Sequence, residues 1–323
     1  MSDSIHKAAA PLVVLAGPTA SGKTALALAL AERFNGEIVS CDSVAVYRGM
    51  EIGSAKPTLA ERGRVPHHLI DVFSLDQPCT AGDYTRLARE AIGEIAGRGR
   101  LPIVAGGTGL YLRALLDGLF AAPPRDESLR ERLRQRAELR GAAYLHRILT
   151  RMDPEAARMI HANDAAKVVR AIEVTLAARL PITRQWEQQP RDPLTGFRTL
   201  RLCLNPPRAE LYARINRRAA KMFESPQKGG GLVEETVQLV AEFGEECRPL
   251  TSLGYAQAAA LLRGECLREE AVAAAQQGHR NYAKRQLTWF RKDSELHWLA
   301  GFGGDAAIER EACELVAVHL AGR

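Results

Sequence analysis

GPTASGKT, residues Gly17 to Thr24, follows the apolar run PLVVLA (Pro11 to Ala16) and leads into TALALALAERF (Thr24 to Phe34). Its spacing is G-x-x-x-x-G-K-[ST], and each position has a mechanical reason. The glycines let the backbone wrap closely around an oxyanion, so that successive N–H groups point inward. Lys23 adds a point charge, and Thr24 offers a hydroxyl to Mg²⁺. The following run is rich in strong helix formers, and the N-terminus of that helix adds its dipole to the same anion site. A strand before and a helix after are the context that separates such a loop from a chance match. A diphosphate or triphosphate is therefore expected on Gly17, Pro18, Thr19, Ala20, Ser21, Gly22, Lys23 and Thr24, with Mg²⁺ as cofactor on Thr24. The motif leaves open which molecule carries the phosphates.

Outward from the loop, short apolar runs alternate with helical periodicity. EIVS (Glu37 to Ser40), HHLIDVF (His67 to Phe73) and LPIVAGG (Leu101 to Gly107) read as strands. TAGDYTRLAREAIGEIAGRG opens with a Thr80/Asp83 capping box and runs out at Gly97 and Gly99. Continuous apolar strands separated by helices predict an α/β fold, a P-loop parallel sheet core flanked by helices. From Arg125 to about Arg179 the pattern is helical with no strand signal, bounded by AAPPRD and QQPRDPLTGF. RTLRLCLN (Arg198 to Asn205) reads as a returning strand, and the remainder is mostly helical, with KGGG at Lys228 to Gly231 a spacer. The expected division is a core of residues 1–120 and 200–323 around an all-helical insertion domain, 121–199.

The bulk composition is globular: 323 residues, 46% hydrophobic and 25% charged. Lys and Arg number 44 against 38 Asp and Glu, a net charge of +6 that leans mildly toward polyanionic partners. Six cysteines with no C-x-x-C pair suggest neither a zinc site nor a disulfide framework. The polar start MSDSIHKAAA and the strand-length apolar run behind it do not suit a signal peptide or a membrane span. The expectation is a cytoplasmic protein without membrane attachment. No surplus apolar stripe demands a dimer, so a monomer is expected.

Chemistry concentrates in three further places. Asp42, in CDSVAVYRGMEIGSAKP, falls at the end of a strand beside the phosphate loop, where open α/β sheets gather ligands. It suits a general base or a magnesium partner. The strand LPIVAGGTGLY ends in Gly106-Gly107-Thr108, without the acid that many NTP hydrolases place there, which argues against an ATPase motor and leaves a small kinase open. His67 and His68, adjacent on a strand, face opposite ways and do not form a metal pair. In HRNYAKRQLTWFRKD (His279 to Asp293), Ala283, Leu287 and Phe290 are spaced as the buried stripe of a helix. Lys284, Thr288 and Arg291 share a second face, while Arg285, Trp289 and Lys292 share a third. Cations around an aromatic suit phosphate contact combined with base stacking. In LYARINRRAAKMF, Arg214 and Arg218 lie one turn apart and can reach one anion together.

GPTASGKT, DSVAVYRGMEIGSAKP, VAGGTGLYLRALL, NDAAKVVRAIEV, RINRRAAKMF, SLGYAQ and YAKRQLTWFRKD occur in this order. Together they closely resemble bacterial tRNA dimethylallyltransferase, also called tRNA isopentenyltransferase, from about Leu12 to about Leu299. The resemblance implies transfer of a dimethylallyl group from dimethylallyl diphosphate to N6 of adenosine 37, beside the anticodon of tRNA, with release of diphosphate. It implies Asp42 as general base, Thr19 beside the reacting groups, and Arg218 neutralising the departing diphosphate together with the loop and Mg²⁺ on Thr24. It implies contacts to the tRNA anticodon stem-loop from Asp42, Ser43, Val44 and Ala45; from Thr108 and Arg130; and from Ala166, Lys167, Val168, Val169 and Arg170. It further implies contacts from Thr251, Ser252, Leu253, Gly254, Tyr255 and Ala256, and from Lys284, Arg285, Gln286, Leu287, Thr288, Trp289, Phe290 and Arg291. Three departures from the family pattern stand out: Lys167 where Arg is usual, Thr251 and Ala256 flanking SLGY where basic residues are common, and SPQKGG lengthening the connection after Phe223. An adenylate isopentenyltransferase, a small-molecule kinase and an RNA-binding module are the rival readings.

Overall fold

The computed structural model describes residues 9–120, 123, 125–188, 191–224 and 231–322. The SPQKGG extension, residues 225–230, lies outside the described residues, and with it the spacer apart from Gly231, which precedes the helix Leu232–Phe243. The apolar runs form strands β1 (Ala10–Ala16), β2 (Gly36–Cys41), β3 (His67–His68), β4 (Leu101–Gly106), β5 (Phe197–Leu204) and β6 (Leu296–Leu299). They make one sheet in the order β3-β2-β4-β1-β5-β6, and every pairing is parallel. Leu12 to Ala16 of β1, in the interior of the sheet, are buried without interruption, as a strand covered on both faces requires. The helix Lys23–Arg33 packs Leu26, Leu30 and Ala31 onto one face, and Ile308, Ala312 and Val316 of the helix Ala306–Leu320 join the same cluster.

Register brings the loops of the site together. Ala16 pairs with Gly106 and with Cys203, and Gly106 pairs with Cys41. The turns that follow β1, β2 and β4 therefore emerge side by side at the carboxyl edge of the sheet, where such folds place ligands. Gly106 is required for this closeness, because a Cβ there would lie 2.1 Å from the Cys41 carbonyl oxygen.

Two expectations change. HHLIDVF does not run as one strand: β3 ends at His68, because Leu69 and Asp71 take left-handed backbone angles of φ 62° and 59°, and only an isolated parallel bridge, Phe73 to Tyr47, follows. Asp71 is held in that turn by Lys56 and by Arg62. His68 bonds Glu37 at 2.6 Å and His67 bonds the Val65 carbonyl at 2.8 Å, so the two rings do go separate ways. The second change concerns β6, a strand in a region expected to be mostly helical; it pairs with β5 at the edge of the sheet.

The chain divides into two compact units, one running to Leu115 and resuming at Leu194, the other Leu116–Pro193. The expected boundary at 200 falls inside β5, because Phe197 already pairs with Ala10. The second unit contains five helices among its described residues, between Glu127 and Gln188. Leu133, Leu145, Leu149, Val168 and Ile172 form its own apolar core. Among the described residues, no helix is long and apolar enough to cross a membrane.

Candidate active site

The phosphate loop is shaped by its own residues and then clamped by distant ones. Ala20 and Gly22 adopt φ 64° and 89°, turning the backbone inward before the helix begins at Lys23. Lys23 donates from Nζ to the Gly17 and Pro18 carbonyls at 2.9 and 2.7 Å. Burial, with Arg218 adding to it and Asp42 opposing, pushes its ammonium down to about 8. Thr19 N–H donates to Gln286 Oε1 at 2.8 Å, and Gln286 Nε2 donates to the Gly107 carbonyl at 2.9 Å. From behind, Gly303 N–H donates to the Ser21 carbonyl at 2.9 Å. Gly22 and Gly303 meet so closely that a Cβ on Gly303 would lie 2.3 Å from the Gly22 carbonyl oxygen.

A cavity of about 390 Å³ opens in front of this loop, within the usual range for small-molecule sites. Thr19, Ala20, Gly22, Lys23 and Thr24 line it from the loop, and Asp42, Gly107, Arg214, Arg218, Tyr282 and Gln286 face them. Gly17, Pro18 and Ser21 do not line it. Ser21 is fully buried, its Oγ turned toward Gly17 with no hydrogen-bond partner among the described residues, so its side chain is not a wall of the cavity.

Asp42 sits in the turn after β2. Its Oδ1 accepts the Val44 and Ala45 N–H groups at 2.8 and 3.1 Å, which orders the turn and fixes the carboxylate. Among the described residues, Oδ2 accepts no hydrogen bond. Thr108 ties the neighbouring turn, accepting Ser43 N–H at 3.1 Å. Arg218, from the helix Arg208–Phe223, donates to Thr19 Oγ1 and lies near Asp42. Burial shifts its pKa down from the usual arginine value, with the Asp42 charge working against that shift. Arg214 stacks its guanidinium 3.5 Å from the centre of the Phe302 ring. The longer connection after Phe223 has not carried Arg218 away from the loop.

The metal donors present are oxygens. Thr24 and Asp42 line the cavity, and among the described residues no group of three or more His, Cys, Asp or Glu can hold a metal. Few protein ligands, all hard oxygens, fit Mg²⁺, which keeps several waters and binds substrate phosphates. They do not fit zinc.

Beyond the cavity, Asn281, Lys284, Arg285, Thr288, Trp289 and Lys292 line one groove along the helix Arg268–Phe290. Trp289 is 37% exposed between the cations. Two expected faces of the helix thus meet at one groove. The expected buried stripe is corrected: Ala283 and Phe290 are buried, but Gln286 takes the place of Leu287. Its amide is satisfied by the two loops it ties, so the burial is not costly.

Several of the residues expected to contact tRNA are buried. Ala45, Val168, Val169, Gly254, Tyr255, Gln286 and Phe290 lie inside the fold, where their side chains frame the surface and do not present it. Tyr255 donates its hydroxyl to Glu235 at 2.5 Å and accepts Gly53 N–H, holding the wall at Ser54 and Ala55. Ser43, Val44, Ala166, Lys167, Arg170, Thr251, Ser252, Leu253 and Ala256 keep some exposure.

Arg130 is also an internal group. Its guanidinium meets the fully buried Glu173 carboxylate at 2.8 Å, alongside Arg170 at 2.7 Å and Asp126 N–H at 2.7 Å. Burial works to raise the Glu173 carboxyl, but the hydrogen bonds outweigh it and hold the group below its usual range. A depressed carboxylate stabilises the fold fully above its unfolded value and loses that contribution as pH falls through the folded one. Arg130→Ala is expected to destabilise the helical unit by about 3 kcal/mol, the scale for breaking a buried pair. Unchanged thermal unfolding of the variant at neutral pH would return Arg130 to a surface role.

A phosphate loop at the head of a parallel sheet, with a carboxylate and two half-buried cations around one cavity, has the make-up of a P-loop enzyme site for a phosphorylated substrate. A family model described as IPP transferase matches residues 45–293. The tRNA dimethylallyltransferase of Koribacter versatilis is 65% identical over 305 residues, covering 94% of this chain and 97% of its own. The crystal structure of the full-length tRNA isopentenylpyrophosphate transferase from Bacillus halodurans has a TM-score of 0.71 and 36% identity, with 97% of each chain covered. A eukaryotic dimethylallyltransferase captured acting on tRNA has a TM-score of 0.78 and 25% identity, over 97% of this chain and 80% of that one. The chain belongs to the IPP transferase family.

Sequence reasoning missed three parts of this site. Tyr282 and the Gly301–Asp305 turn carry no local signal of a role. Gln286 ties down the loop at Thr19, 267 residues away, a partnership invisible to periodicity.

Proposed function

We propose that this protein transfers a dimethylallyl group from dimethylallyl diphosphate to N6 of adenosine 37 in tRNA. The observation that carries the reading is that Lys23, Arg218 and the open Oδ2 of Asp42 surround one cavity in a chain of this family. The adenine amino group is a poor nucleophile, because its lone pair is delocalised into the ring. It needs a base at its proton and a good leaving group on the carbon. As N6 bonds to the prenyl C1, the C1–O bond to diphosphate breaks and its electron pair leaves with the diphosphate. Asp42 takes the N6 proton. Loop N–H groups, Lys23 and Arg218 receive the charge that develops on the leaving group. Thr24 would hold Mg²⁺, which would supply further neutralisation of the leaving group.

A smaller recess adjoins the cavity and shares Lys23, Thr24, Asp42 and Gly107 with it. Ala27, Ile38, Ala45, Ile70 and Ala105 give it an apolar lining, which suits a substrate with an anionic head and a short hydrocarbon tail. The acceptor base must leave the anticodon stack to enter, as enzymes acting on a base commonly require. We place the protein in the cytoplasm as a monomer, where its tRNA substrate is found. Incubation with dimethylallyl diphosphate and either tRNA or AMP, followed by nucleoside mass analysis, tests the reading. Prenylated AMP without prenylated tRNA would overturn it.

The groove on the 268–290 helix separates these two acceptors. Lys284 and Arg285 line this groove and Arg291 is exposed just beyond it; their charges suit an anticodon-stem backbone better than a pocket for a mononucleotide. Replacing all three by Ala is expected to weaken tRNA binding and make its salt dependence shallower by about one unit of slope per lost phosphate contact. Dimethylallyl diphosphate affinity should not change. A salt series giving the wild-type slope and affinity would reduce the groove to solvated surface.

A further inference from the structure

Tyr282 lies one helical turn before Gln286 and lines the same cavity as Asp42, Lys23 and Arg218, yet the chemistry above does not use it. Its ring is backed by the Arg285 guanidinium, 5.7 Å from the ring centre. Thr108 and the Asp42 charge lie close enough to its hydroxyl to bear on its ionisation. Thr108 is itself anchored by Ser43 N–H. Burial and the Asp42 charge push the phenol up to about 12, so near neutral pH it is an uncharged O–H donor.

Asp42 supplies the complement. With Oδ1 occupied by two backbone amides, Oδ2 is left as an acceptor on the residue that lines the cavity together with Tyr282. Adenine carries the matching order on its edge: an amino donor at C6, flanked by ring nitrogens that accept. Guanine puts a carbonyl oxygen at C6, which a carboxylate repels. We propose that Asp42 and Tyr282 recognise the acceptor base as a pair, Asp42 taking N6–H while the Tyr282 hydroxyl donates to the adjacent ring nitrogen, N1 or N7. This arrangement would select adenine and aim its amino group at the prenyl carbon. The inference rests on the proposed tRNA prenyl transfer.

The test is the single-turnover transfer rate at saturating dimethylallyl diphosphate, for wild type and Tyr282→Phe. The acceptors are anticodon stem-loop RNAs carrying adenine, 1-deazaadenine or 7-deazaadenine at the target position. Tyr282→Phe should slow transfer to adenine about tenfold, the scale of one buried hydrogen bond, with diphosphate affinity within about twofold. One deaza analogue should slow wild type by a similar factor. Both losses remove the same hydrogen bond, so together they should not multiply. Wild-type rates in the variant, indifference of wild type to both analogues, or losses that multiply would each overturn the pairing. Failure of the underlying reading looks different: wild type would modify the adenine RNA not at all.

Discussion

Asp42→Asn is expected to lower the prenyl-transfer rate by about two to four orders of magnitude, the contribution of a well-placed general base. The substitution isolates proton acceptance from structure. An asparagine carbonyl can still accept the Val44 and Ala45 N–H groups that hold the turn after β2. What disappears is the basic oxygen facing the cavity, so N6 must lose its proton to water. Single-turnover rates at saturating dimethylallyl diphosphate read the chemical step, and tRNA affinity should stay within about twofold. A near-normal rate with Asn at this position would remove Asp42 from the chemistry. A large loss of tRNA affinity would instead mean that the 42–45 turn acts through binding.

Arg218→Ala is expected to slow transfer by about two to three orders of magnitude, the effect of removing one strong donor from developing oxyanion charge. It should also weaken binding of dimethylallyl diphosphate, because the guanidinium meets charge in ground and transition states alike. The geometry supports both effects: Arg218, half-buried on the helix Arg208–Phe223, donates to Thr19 in the phosphate loop and shares the cavity with Lys23. A guanidinium in a site of low dielectric acts more strongly than one in water. Equilibrium binding of the diphosphate and single-turnover transfer separate the two contributions. A wild-type rate and affinity would mean that Lys23 and the loop amides suffice for the leaving group.

The parts of this protein written in its sequence are those whose geometry is local. Gly17 to Thr24 state their own turn, because Gly22 and Ala20 must go left-handed before the helix at Lys23 can start. The helix Ala81–Gly97 announces itself through Thr80 and Asp83, which bond each other's backbone across one turn. The buried strands β1, β2, β4 and β5 are legible from apolar runs of strand length, and Asp42 from its place at the end of one of them. β6 was too short and too mixed, LHWL, to be told from the helices around it; pairing with β5 makes it a strand. The 67–73 run looked extended, and the ion pairs of Asp71 with Lys56 and Arg62 turned it instead.

The tertiary structure alone decided which distant side chains hold the loop and which only frame it. Gln286 belongs to a helix face that periodicity assigns to neither core nor surface, and it is buried because two backbone loops satisfy its amide. Val168, Tyr255 and Phe290 sit within stretches that match tRNA-contacting motifs, yet are turned inward by the packing of their own helices. Arg130 reads as a cation for phosphate, but the buried Glu173 43 residues away claims it. Tyr282 is one aromatic on a basic helix until strand register places Asp42 and Thr108 beside it. A turn or a cap is fixed by bonds between residues a few positions apart. Partners hundreds of positions apart are chosen by which surfaces exclude water together, and one residue's identity does not encode that choice.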